Sequence, residues 1–106
     1  MIQAELLTVL KSTGLPVAYG SFLSVVSPPF ITYQFAYNKD LMADNINYAE
    51  IANFQVELYT TKKDLASEKN VQDALKGSEL PYSKIETWID EEKMFQILYE
   101  IQLIGG

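Results

Sequence analysis

The chain has 106 residues, 48% of them hydrophobic and 21% charged. That is enough for one domain burying roughly two-thirds of its unfolded surface, with the composition of an ordinary globular protein. Fourteen acidic residues against eight basic ones give a formal net charge of −6, which opposes electrostatic capture of nucleic acid or anionic lipid, since both need clustered cations. Cysteine and histidine are absent. This excludes a disulfide framework, a thiolate nucleophile and a zinc–sulfur site, and it removes the commonest general base and metal ligand.

The first segment, MIQAELLTVLKSTG, places Ile2, Leu6, Leu7 and Leu10 at spacings of three and four, so they share one face of a helix predicted from about Met1 to Ser12. Gly14 supplies its stop. Glu5 lies among the apolar residues, and no run approaches the roughly 18 apolar residues of a membrane span, so neither export nor membrane insertion is expected.

LPVAYGSF reads as a short strand, and Pro28 and Pro29 exclude helix before Phe30. Ile31, Tyr33 and Phe35 then alternate with Thr32 and Gln34, and Phe54, Val56 and Leu58 with Gln55, Glu57 and Tyr59. Both have the period of half-buried strands and are antiparallel candidates. TTKKDLASEKNVQDALKG changes to a helical period. Thr61 or Asp64 is its N-cap, Glu68 suits its first turn, Leu65, Val71, Ala74 and Leu75 form its stripe, and Gly77 ends it.

The chain closes with YSKIETWI, an acidic turn and MFQILYEIQLI, whose long alternation predicts a strand with neighbours on both sides. A four-residue turn pairs Trp88 with Phe95 and leaves Ile85 and Ile89 on the opposite face. Either a bulge shifts the register or both faces are partly covered. No linker or repeat divides residues 1–106, so a single domain is expected. The order of elements predicts an α+β fold, an antiparallel four- to five-stranded sheet with two helices packed on one face.

Catalytic chemistry finds little purchase. The glycines form no phosphate-binding spacing. Asp90, Glu91 and Glu92 suit a solvated hairpin turn. A calcium loop counted from Asn38 puts Met42 and Ala49 where ligands are required, so no metal is expected. The aromatic residues alternate along strands with few cations among them, the pattern of packing rather than of base stacking. No catalytic, metal-binding or cofactor-binding residue is therefore assigned.

Taken together, LKSTGLPVAYGSF, PPFITY, ADNINYAEIANFQVELYTTKKD and DEEKMFQILYEIQLI resemble a family of small proteins encoded by tailed phages and prophages of Gram-positive bacteria. The family is similar to the tail-terminator or tail-completion proteins of long, non-contractile-tailed phages. The likeness runs from about Leu10 to Leu103 and lies in the order of the pieces. It implies a protomer that assembles in the host cytoplasm as a homo-oligomeric, six-fold ring on the last ring of the major tail protein. That ring stops tube growth and meets the head–tail connector in the virion. Enzyme activity, cofactor, membrane and sequence-specific nucleic acid form no part of that role. A neck or head-completion protein is the alternative. An acidic DNA mimic is remoter, because the acidic surplus is small and spread along the chain.

NKDLMADNINY, between the two central strand patterns, is longer than a hairpin turn needs and carries apolar residues that a solvated loop would not. It reads as a loop serving as an assembly arm, with Leu41, Met42, Asp44, Asn45, Ile46 and Tyr48 as contact residues, or as an arm packed on its own domain. Tyr59, on the polar side of its strand, is a further candidate contact.

Overall fold

In a computed structural model of the protein the chain runs α1 (Gln3–Lys11), β1 (Val17–Tyr19), β2 (Phe30–Asn38), β3 (Leu41–Ala43), β4 (Ile46–Ala49), β5 (Ile51–Thr60), α2 (Leu65–Gly77), β6 (Ser83–Ile89) and β7 (Met94–Ile104). The structure describes residues 1–38, 41–43, 46–49 and 51–104, the two short middle stretches by their backbone alone. Five strands form one sheet in the order β1-β2-β5-β7-β6, and β3 and β4 form a two-stranded sheet of their own. The architecture is α+β.

Period-two alternation decides which face of the sheet is covered. Leu58 pairs with Ile31 on one side and Ile97 on the other, and Val56 likewise with Tyr33 and Tyr99. These residues are buried together with Leu6 and Leu10 of α1 and Val71 and Leu75 of α2, so both helices lie on that face. Tyr99 is fully buried. Its hydroxyl donates to Gln72 Oε1 (3.1 Å), and the Tyr82 ring stands edge-on to it. Burial, and then the nearby Glu68 carboxylate, push its pKa well above the usual tyrosine value.

The helix ends follow local chemistry. Glu5 Oε1 accepts from the Ile2 N–H ahead of α1 (3.3 Å), and Gly14 takes a left-handed conformation (φ +80°) just beyond its end. Asp64, rather than Thr61, caps α2. Its Oδ1 accepts from the Ser67 N–H (3.0 Å) and its Oδ2 from the Ser67 hydroxyl (2.7 Å), which hold its carboxyl below the usual range. Gly77 is the last helical residue, and the left-handed position that follows falls on Glu79 (φ 57°). Leu65 is exposed and Glu68 takes the buried place on the stripe.

The sheet departs from the expected all-antiparallel pattern at one margin. β1 runs parallel to β2, with Val17 opposite Ile31 and Tyr19 opposite Tyr33. Gly20 (φ +73°) turns the chain out of the sheet while its N–H donates to Tyr33 O (2.8 Å). The residues up to Pro29 then return the chain to the level where β1 began, and the Ile31 N–H donates to Pro16 O (2.8 Å).

At the other margin β6 and β7 pair without a bulge. Trp88 lies opposite Phe95, Ile85 opposite Leu98 and Ile89 opposite Met94, so Ile85 and Ile89 lie on the face away from the helices. Lys93 (φ 54°) makes the left-handed step that closes this hairpin.

Candidate assembly surfaces

The face of the sheet away from the helices carries a polar network centred on Glu57. Its Oε2 accepts from Thr32 Oγ1 (3.0 Å) and the Tyr59 hydroxyl (2.8 Å), and its Oε1 from Gln34 Nε2 (3.4 Å). Gln96 Nε2 in turn donates to the Tyr59 hydroxyl oxygen (3.1 Å). These contacts arise from register, since Thr32 faces Glu57 and Tyr59 faces Gln96 across adjacent strands. Tyr59 is half-buried rather than exposed, and its ring stacks on Phe30 with centroids 5.0 Å apart. Burial, and then the hydrogen bond to Glu57, raise its pKa. Its proton is held rather than poised for transfer.

The segment read as a loop in sequence is a hairpin. Asn38 faces Ala52 at the end of the β2–β5 ribbon, and three residues further along each strand Leu41 faces Ala49. β3 and β4 therefore keep the same pairing offset in a sheet of their own, with an irregularity between Leu41 and Met42. Backbone pairing replaces the expected loop because INYA and LMA can form a ladder of their own. Leu41 and Met42 lie on β3, and Ile46 and Tyr48 on β4. Asp44 and Asn45 lie outside the described residues. Tyr59 sits at the far end of β5, so the described candidate residues divide between the β3–β4 hairpin and the end of β5 remote from it in sequence.

A bulge between Phe35 and Tyr37 shifts the register, so that Tyr37 pairs with Asn53. Phe35 and Phe54, edge to face at 5.8 Å, are the last pair of β2 and β5 on the helix-covered side before that bulge.

On that side, Glu68 is 2% exposed. Lys63 Nζ meets its Oε2 at 2.8 Å and Lys84 Nζ its Oε1 at 2.7 Å, and Lys63 also reaches Glu86 on β6. Burial alone would raise the Glu68 pKa. The two ammonium groups outweigh it and hold the carboxyl below its usual range. The cluster ties α2 to the outer strand β6. Sequence reasoning placed Glu68 only at the helix's N-terminal end, although its spacing from Val71 and Leu75 puts it on their face.

Larger clefts offer isolated carboxylates. One of about 640 Å³ beside the end of β7 has Glu79 and Glu100 in its lining, and one of about 660 Å³ under the β1–β2 connection has Glu92. Among the described residues no three acidic side chains converge as a metal site requires, and no helix is long and apolar enough to cross a membrane. No protein-family model matches the chain, and no curated protein matches it.

Proposed function

We propose that the protein is a non-enzymatic structural subunit of a phage or prophage tail, a terminator that assembles as a ring on the tail tube and joins it to the head connector. The observation that carries this reading is the β3–β4 hairpin. A two-stranded hairpin is marginal by itself in water, yet this one forms a sheet of its own between β2 and β5 in the chain and has Leu41, Met42, Ile46 and Tyr48 in its sequence. Docking on a neighbouring ring subunit or on the tube would complete it, as strand and hairpin surfaces do in other assemblies. The order of sequence pieces that resembles tail-terminator proteins supplies the kind of assembly.

The test replaces Leu41 and Met42 together by Ser. Contacts made only on assembly leave the monomer's circular dichroism unchanged and its stability within about 1 kcal/mol of the parent, the usual scale for changes outside a core. Phage complemented with the variant accumulates overlong tails or unjoined heads and tails. An unfolded variant would assign the hairpin to the domain's own core, and full complementation would remove the arm from the mechanism.

A further inference from the structure

Two surface features at opposite ends of the strands match each other. At one end, the connection between β1 and β2 holds Leu23 and Val25 as open to solvent as in an extended peptide, 107% and 102% exposed. Their neighbours Phe22 and Val26 are partly covered, and Phe22 meets Phe30 edge to face at 5.4 Å. The loop is therefore anchored at its base while two apolar side chains project from it.

At the other end the sheet outruns α1. Phe35, Ala52, Phe54 and Leu103 of the helix-covered face, with Met1 and Ile2 ahead of the helix and the polar Gln3 and Asn38, surround a cleft of about 230 Å³. Phe35 and Ile2 are 45% and 47% exposed. The cleft is below the roughly 300–1,000 Å³ of small-molecule sites; no charged side chain lines it, and the Met1 ammonium donates to Ile104 O (3.3 Å). Its size and walls suit one or two aliphatic side chains.

Knob and cleft of one protomer cannot meet. Phe30, beside the knob, and Phe35, at the cleft, are separated by five residues of strand, or about 16 Å. A contact between them joins two copies through different patches, and such head-to-tail contacts repeat and close into rings where the rotation allows.

We propose that Leu23 and Val25 of one protomer seat in the cleft formed by Met1, Ile2, Phe35, Ala52, Phe54 and Leu103 of the next copy of this chain. The proposal deepens the ring reading and rests on it for closure of the ring, not for the contact itself.

The chain has no cysteine, so an introduced disulfide reports one contact. Leu23→Cys and Ile2→Cys proteins, mixed at high concentration and oxidised, form a cross-linked dimer, and the double variant forms a ladder. Leu23→Cys mixed with Lys69→Cys, on the exposed side of α2, does not. Absence of the first cross-link, or equal cross-linking of the control pair, overturns the proposal. Independently, Leu23→Ser/Val25→Ser raises the concentration needed for self-association by about tenfold or more, with the melting temperature unchanged. Unaltered self-association also overturns it. Binding to purified tail tubes separates the two readings. A ladder without tube binding leaves the contact standing and removes the tail role, whereas tube binding without the cross-link does the reverse.

Discussion

Lys63→Met/Lys84→Met strips both cations from Glu68 and leaves its carboxylate on the core stripe of α2 beside Val71 and Leu75. Removing the partners of a buried charge costs about 3–5 kcal/mol, because the group keeps its desolvation penalty and loses the attraction that offset it. For a domain near this size each kcal/mol moves the thermal midpoint by about 4–8 °C, so stranding Glu68 lowers it by roughly 12 °C or more at pH 7. Lys84→Met alone does less, about 1 kcal/mol, since Lys84 is partly in water and Glu68 keeps Lys63. The pH dependence changes sign. In the parent the folded-state pKa of Glu68 lies below its unfolded value, so its contribution is present above the unfolded pKa and is lost as pH falls through the folded one. In the double variant burial is unopposed and the folded pKa lies above the unfolded value. The folded state then binds the extra proton, and the variant regains stability as pH falls toward the unfolded pKa. Urea denaturation at several pH values reads both effects. A cost below about 1 kcal/mol at pH 7, or an acid-side slope equal to the parent's, would refute the electrostatic account of the clamp.

Two further outcomes test the rest of the fold. Tyr59→Phe removes the donor to Glu57 and the acceptor for Gln96. It should lower the urea midpoint by an amount equivalent to about 1–2 kcal/mol with an unchanged slope, and no change would mean that water replaces the network at no cost. Chelator is expected to leave the parent's thermal midpoint unaltered, and a fall of more than a few degrees would reveal a bound ion.

Strand and helix periods were legible where one face is covered and the other is not. The β5 alternation of Phe54, Val56 and Leu58 with Gln55, Glu57 and Tyr59 places each residue on the face it occupies. So does the long β7 alternation, because β7 pairs with β5 on one side and β6 on the other. What sequence missed depends on long-range placement. The parallel run of β1 is set by where its connection returns, which local propensity does not encode. Glu68 looked like a helix-end acid because the lysines that permit its burial come from residue 63 and from β6. Leu23 and Val25 lie in SFLSVVS, too short and irregular to declare a strand, and only the placement of Phe22 and Val26 shows which residues point out. The β3–β4 pairing was masked by polar residues that read as loop.

The division between core and remainder bears on function. Beyond the Phe35–Phe54 pair Ala52 still packs against the core, but among the described side chains from Ala36 to Asn53 none is buried. Fixing the backbone of each ordered residue costs about 1–2 kcal/mol of conformational entropy. A domain that needed only its own core could close this hairpin soon after Phe35 and avoid that cost. The apolar knob at Leu23 and Val25 poses the same problem at the other end, since Ser in both places would leave the buried core intact. On the proposed reading, both features are stabilised by contacts with other subunits. The isolated protomer is then a folded core with two unfinished ends, and its assembly defects should separate from its stability.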